Sequence, residues 1–505
     1  TYCHEDQSTT GWFIPQAEAP AKTARASGGG EATVRSRSAA RGPHYYRNPE
    51  SEIAGAISPP RAGAESARAA STPSPSPSAD TALIAPKVRR RTIAGLEVLT
   101  LKTAIQDVVT LRGVVGAGDI FNPPGNSAIA DLTASLLDKG TVKRDKFAVA
   151  ELLEQTGATL NFGTGSHTLN IGAKCLRKDL PLVLELLAEQ LREPRFDPAE
   201  FAKLKTQLAG RLRRNLEDTD YRAQGAFARA IFPAGHPNRP PADEQYLADL
   251  EAATLEQVRA FHAASYGPVN ARLVAVGDLD DAAIDRALSA AFAGWQGGRA
   301  FPPAPKAPAL GAGRTEKVAM PGKTSVSFVI GQPSGLRYRD ADHLTLNLAT
   351  SVLGSGFFSA RLLDIIRNRE GLTYGIGASL SADTYADGSW FIQGTFAPEL
   401  LGKGAASTLR ELRRFYAEGL SAEELATFKV TLSGSYQVAL ATTSGLAGTL
   451  LNAVQRGYGP EWVDEYPRHL QALPLADVNA AIKRFLDPER MVTVLAGSIP
   501  PEFGK

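Results

Sequence analysis

The sequence predicts an α+β protein of two homologous domains, each a mainly antiparallel sheet with helices packed on it. Three observations predict it. LEAATLEQVRAFHAASYGPVNARLVAVGDL, Leu250 to Leu279, aligns without a gap on LQALPLADVNAAIKRFLDPERMVTVLAGSI, Leu470 to Ile499, 220 residues further on. A second block, FDPAEFAKLKTQLAG from Phe196, matches LSAEELATFKVTLSG from Leu420 at an offset of 224. Between the copies lies GGRAFPPAPKAPALGAGR, Gly297 to Arg314, a Pro/Gly/Ala-rich linker. A period this long exceeds any solenoid unit, so each copy is a domain. Within each copy strands and helices are segregated, which favours α+β layers.

Each element follows from its own pattern. GNSAIADLTASLLDKGT, Gly125 to Thr141, reads as a helix: Ile129, Leu132 and Leu136 fall at i, i+3 and i+7, and Gly140 closes it. TGATLNFGTGSHTLNIGA and IGASLSADTYADGSWFIQG read as hairpins with alternating side chains. Asp197 with Glu200, and Ser421 with Glu424, have capping-box spacing at the start of two helices. The last units are a helix, a proline turn and an apolar strand; Leu255, Val258, Pro268 and Gly277 pair with Leu475, Val478, Pro488 and Gly497. The expected boundaries are residues 1–82 as a disordered leader or linker, 83–296 and 315–505 as the domains, and 297–314 as the linker. The leader is rich in Ser, Ala, Pro, Gly and Arg, as in ASTPSPSPSAD, and lacks any apolar period.

Bulk properties exclude several classes. The 505 residues are 43% hydrophobic, enough for sizeable cores. A net charge of +2 implies no polyelectrolyte partner, and the leader's arginines are scattered, so no nucleic-acid binding is expected. Two cysteines, Cys3 and Cys175, cannot build a disulfide framework, and Cys175 reads as a small core residue. No apolar run approaches the roughly 20 residues of a membrane span. GVVGAGDIF and LGSGFFSAR lack the strand–glycines–helix context of a phosphate loop. The histidines at 4, 44, 167, 236, 262, 343 and 469 form no H-x-x-E-H or H-E-x-x-H pair and read as surface or hydrogen-bonding residues.

The informative stretch is SARLLDIIRNREGLTYGIGASL, Ser359 to Leu380. A helix carrying Leu362, Leu363, Ile365 and Ile366 ends at Gly371, and a strand starts near Thr373. Arg367 falls in the last turn and Tyr374 at the strand's start, so the turn can bring both polar tips to one side. From the residues alone the plainer reading is the favoured one: an arginine near a helix C-terminus complements the macrodipole, and a strand tyrosine packs its ring.

Two homologous domains together with RNREGLTY resemble the M16 (pitrilysin or insulinase-like) metallopeptidases, specifically the bacterial M16B type, over roughly residues 83–500. In active subunits of that family an inverted zinc motif, H-x-x-E-H, precedes a segment like MLFKGT. Counting back from LLDKGT, the resemblance places the two histidine positions at Asp131 and Ser135 and the glutamate at Ala134. The third ligand, a glutamate on a later helix, falls within LKTQLAGRLRRNLED, which is Lys- and Arg-rich through its middle. Three donors plus a water are needed for catalytic zinc, so no metal is expected in this chain, and zinc belongs to a partner. The resemblance implies a non-catalytic subunit in a heterodimer with an H-x-x-E-H subunit, inactive alone. It lends Arg367 and Tyr374 to the partner's zinc site during peptide hydrolysis: Tyr374 for the oxyanion, Arg367 for the substrate backbone or the tyrosine. It also implies an unfolded or extended peptide substrate and a periplasmic location, otherwise a cytoplasmic one. Two alternatives remain: a scaffold or interaction protein with no catalytic role, or the C-terminal half of a longer single-chain peptidase.

Overall fold

The structure is a computed structural model that describes residues 83–354, 357–381, 383–501 and 503. The leader expected over 1–82, with Cys3, His4 and His44, lies outside the described residues.

The first half begins with strands β1 (Val88–Ile93), β2 (Leu96–Lys102) and β3 (Val108–Val115). Helices α1 (Ile129–Leu136) and α2 (Lys146–Thr156) follow, then the hairpin β4 (Thr159–Thr164) and β5 (Leu169–Leu176). Next come α3 (Leu180–Arg192), α4 (Pro198–Asn215), α5 (Thr219–Ile231), α6 (Asp243–Ala252) and α7 (Leu255–Ser265), strand β6 (Arg272–Gly277) and α8 (Asp281–Ala291). The second half repeats this: β7 (Arg314–Ala319), β8 (Val326–Pro333), α9 (His343–Gly354), a π-helix over Leu363–Arg369, and the hairpin β9 (Thr373–Ser381) and β10 (Ser389–Phe396). It closes with α10 (Leu401–Glu418), α11 (Ala422–Leu440), α12 (Thr443–Gln455), α13 (Trp462–Ala472), α14 (Leu475–Phe485) and β11 (Val492–Gly497).

The repeat is visible in the sheets. Their strand orders are β1-β2-β6-β3-β5-β4 and β7-β11-β8-β10-β9, the same path apart from the extra β1. All neighbours are antiparallel except β2 with β6 and β7 with β11. Both are mainly antiparallel sheets with helices packed on them, as expected. The matched helices share their fastenings: Lys205 Nζ donates to the carbonyls of Glu251 and Ala253 at the end of α6, and Lys429 Nζ to those of Gln471 and Leu473 at the end of α13. Each lysine satisfies carbonyls that the helix leaves unpaired. The capping boxes differ. Ser421 and Glu424 form theirs in full. Asp197 caps α4, but Glu200 turns away to Lys146 at 2.5 Å, so that box is only half made.

The two halves exchange a helix. On its other face each sheet is covered by a helix of the opposite half. Leu446, Leu450, Leu451 and Val454 of α12 pack on Leu99, Leu101, Val274 and Val276 of the first sheet. Ala223, Phe227 and Ile231 of α5 pack on Val329, Val492 and Val494 of the second. This explains why β6 and β11 read as unbroken apolar runs: burial on both faces removes the need for alternation. No helix of the described residues is long and apolar enough to cross a membrane.

Candidate functional site

Two places need description, one on each half. The first is the end of α1. Its apolar stripe, Ile129, Leu132 and Leu136, is fully buried, and Gly140 adopts φ +110 to turn the chain away. Burying that stripe fixes which way Asp131, Ala134 and Ser135 face. Asp131 is buried, and its Oδ2 accepts from the Tyr246 hydroxyl of α6 at 2.7 Å. Arg211, from the basic middle of α4, lies 3.6 Å from the same oxygen. Burial, with the Asp131 charge and hydrogen bond beside it, pushes the Tyr246 phenol well above its ordinary value, so it remains a donor. Desolvation first, and the Asp131 charge second, also raise the carboxyl of nearby Asp119.

This arrangement does not fit zinc. One carboxylate faces a guanidinium, and a fixed cation repels a metal ion where the site would need a third anionic or imidazole donor. Ala134 offers only a methyl group at the position where the resemblance led us to expect a general base. The ion pair and the tyrosine hydrogen bond join α1, α4 and α6. The Arg-rich segment was visible in the sequence. Tyr246 was not, because it lies 115 residues from Asp131 in the chain and carries no local motif. Among the described residues no group of three or more His, Cys, Asp or Glu side chains is placed to hold a metal.

The second place is the turn between the π-helix and β9. Gly354 ends α9 against β9: a Cβ there would lie 2.4 Å from the Ala378 amide nitrogen, so only glycine admits the approach. The following helix is not the α-helix its apolar spacing suggests. It widens to π geometry over Leu363–Arg369, with the Glu370 amide donating to the Ile365 carbonyl. Such widening re-aims side chains. Gly371 at φ +64 then reverses the chain into β9, the edge strand of its sheet.

The result brings Arg367 and Tyr374 together. The guanidinium lies over the Tyr374 ring, 4.8 Å from its centroid, and over the Phe358 ring at 5.1 Å. Tyr374 is 87% exposed and Phe358 59% exposed, so neither ring packs in the core. This removes the packed-tyrosine reading. Among the described residues no carboxylate pairs with Arg367, and the Tyr374 hydroxyl has no hydrogen-bond partner. Their neighbours are engaged otherwise: Arg369 holds Asp364 at 2.5 Å, and Glu370 holds Ser407 and Arg410. Two donors, a phenol and a guanidinium, thus stand ready on an exposed strand edge. Phe358 was missed from sequence, since its place in the Phe357–Phe358 pair of LGSGFFSAR has no distinguishing spacing.

The remaining histidines act as hydrogen-bonding or stacking groups. His343 pairs with Asp383 at 2.6 Å and His236 with Asp387 at 3.1 Å, all four buried. His262 contacts the Leu191 carbonyl at 2.8 Å. His167 stacks on Tyr385 at 4.8 Å, and His469 is exposed. Cys175 is buried on β5, and burial pushes its thiol up to about 12.

Fold and site together define a pair of equivalent α+β sheet-and-helix halves in which Asp131, one of the positions expected to hold zinc, carries an ion pair with Arg211 instead. The chain belongs to the M16 metallopeptidase family: residues 97–228 match the insulinase (peptidase family M16) model and 252–432 the peptidase M16 inactive domain model. It is 24% identical over 426 residues to an uncharacterized zinc protease of Streptomyces coelicolor, covering 81% of this chain and 89% of that one. It is 25% identical over 371 residues to the non-peptidase homolog YmxG of Helicobacter pylori, covering 72% and 83%. The crystal structure of a peptidase M16 inactive domain from Pseudomonas fluorescens superposes with a TM-score of 0.75 at 23% identity, over 82% of this chain and 98% of that one.

Proposed function

We propose that this protein is the non-catalytic, complementing subunit of a heteromeric zinc-dependent M16B peptidase. The observation that carries the reading is the exposed Arg367–Tyr374 stack, in a chain whose own metal place is closed by Asp131 and Arg211. A partner with an intact H-x-x-E-H motif supplies the zinc, which activates water for attack on a peptide carbonyl. This chain's part is electrostatic. The Tyr374 hydroxyl donates to the carbonyl oxygen as negative charge develops there, and Arg367 holds the substrate backbone. Donors fixed before the reaction need no reorganisation during it. Phe358 is a positioning residue: with Tyr374 it holds the guanidinium between two rings. The substrate is an extended peptide, and the periplasm is the compartment in which we place the complex.

The test is reconstitution. The purified chain should not cleave a fluorogenic peptide. Mixing it with an H-x-x-E-H M16 subunit from the same genome should produce turnover that a chelator abolishes. Chelator-sensitive cleavage by the chain alone would contradict the assignment. A partner fully active without this chain would leave only the scaffold role.

A further inference from the structure

Tyr338, Arg339, Tyr458, Trp462, His469 and Leu473 contribute to the lining of a surface pocket of about 330 Å³ to which neither Arg367 nor Tyr374 contributes. Four of these are rings in a row. Tyr338 and Tyr458 are 6.1 Å apart edge to face, Tyr458 and Trp462 stack at 4.1 Å, and Trp462 and His469 at 5.3 Å. The volume sits at the lower end for ligand pockets, about 300–1,000 Å³, which suits a short segment better than a large cofactor. Among the described residues the Trp462 indole N–H has no acceptor. Stacked on one another, Tyr458, Trp462 and His469 present ring edges beside a free indole donor, and an aromatic-lined groove of this kind is where polyproline II segments dock, the N–H giving a hydrogen bond to a backbone carbonyl.

The chain itself carries such a segment, and the fold fixes where it ends. STPSPSPSAD, Ser71 to Asp80, has Pro73, Pro75 and Pro77 and no charge before Asp80. Three residues later the described structure begins, pinned to the helix that carries Trp462 and His469. The Ile84 amide donates to Asp464 Oδ1 at 3.0 Å and the Ala85 amide to Oδ2 at 2.8 Å. We propose that the segment around Pro73–Pro77 occupies this aromatic pocket as a polyproline II strand in cis. The dimensions agree. Pro73 to Pro77 spans about 12 Å at ~3.1 Å per residue, comparable with the ring row. Asp464 and Trp462 point to opposite sides of α13, so the chain must round a helix about 10–12 Å wide. The six steps from Pro77 to Leu83 reach up to about 20 Å. Prolines bring no N–H groups to bury, and polyproline II is the conformation that proline-rich sequences favour, so docking such a segment costs little ordering.

The experiment uses the full chain and a fluorescent peptide of residues 70–82. Anisotropy titrations compare the wild type with the Pro73→Gly/Pro75→Gly/Pro77→Gly variant. The variant should bind the peptide. The wild type should bind it about tenfold more weakly, as expected for a peptide of roughly 100 µM affinity competing with an effective concentration near 1 mM. Trp462→Leu in the variant background should abolish binding. If its melting temperature shows that this change disturbs the fold, the exposed His469→Asp should weaken binding instead. No peptide binding by the triple variant overturns the proposal, as does equal binding by wild type and variant, or equal binding of a peptide with alanines for the prolines. A wild-type dimer in sedimentation velocity that the triple variant loses would also overturn it, because the segment would then fill a neighbour's pocket.

Discussion

Tyr374→Phe separates chemistry from folding. The substitution removes one oxygen and keeps the ring on which Arg367 lies at 4.8 Å. That oxygen belongs to a residue 87% exposed and has no partner among the described residues. The fold therefore loses nothing measurable, within about 0.5 kcal/mol for such surface changes. The transition state loses a donor, for which removal costs about 10²–10³ in kcat, or about 2.7–4 kcal/mol. KM should move little, because the bond forms chiefly when charge develops. Phe358→Ala should give a smaller and different loss. One of two ring contacts to the guanidinium goes, worth about 0.5–1 kcal/mol at an exposed site, so kcat/KM falls about two- to fivefold, with Phe358→Tyr restoring it. The assay is steady-state hydrolysis of a quenched peptide by the reconstituted complex, with sedimentation to show assembly and thermal melts to show folding. Wild-type kcat for Tyr374→Phe in an intact complex would refute the oxyanion role and leave the stack as an adhesive patch.

Three further outcomes are expected. Metal analysis should find zinc only after Asp131→His, Ala134→Glu, Ser135→His and Arg211→Glu are combined; with Arg211 retained, its guanidinium should keep the ion out, and tight zinc in the wild type would defeat this account. Leu450→Ala, at a fully buried contact between halves, should cost about 2–5 kcal/mol; denaturant curves weighted to Trp295 and to Trp390 should stay superimposed, since each half needs the other's helix. His167 is depressed from 6.5 to about 3, by burial first and then by the charges of His236 and Arg337. The unfolded state binds its proton first, so stability falls as pH drops from 6.5 toward 3, by up to about 1.4 kcal/mol per pH unit. His167→Phe, which preserves the stack on Tyr385, should flatten urea midpoints between pH 6.5 and 4; an unchanged slope would show that His167 is not the titrating group.

Much of this architecture was legible because it was written twice. The offset of 220 residues tied one helix–turn–strand unit to another, and each ends in the strand, β6 or β11, that makes its sheet's parallel pairing. The Arg367–Tyr374 spacing was legible too, and the turn does bring the two side chains together. What escaped were relations between distant segments. Hydrophobic period reports which face of an element is buried, not what buries it. RLVAVG and VTVLAG read as apolar strands, but nothing local says that a second face of each sheet is covered, or that α12 and α5 of the opposite half cover it. The π-helix escaped for a related reason. Leu362, Leu363, Ile365 and Ile366 suit either helical pitch, and the wider turn is set by the Gly371 reversal and the seat of β9. Arg211 was seen as part of a basic run, while its meeting with Asp131 depends on two helices crossing.

The helix exchange sets a timetable for synthesis. β6 is complete when Gly277 leaves the ribosome, yet the side chains that cover the second face of its sheet begin at Thr443. At about 5–20 residues per second, translation of the intervening stretch takes on the order of 10–30 seconds. During that interval a first half that folds as it is made presents Leu99, Leu101, Val274 and Val276 to solvent with nothing on them. A ribosome that stalls in the second half therefore leaves a sticky sheet rather than a finished domain. Such truncated chains become clients for chaperones, or pair with the same bare face on a neighbouring nascent chain.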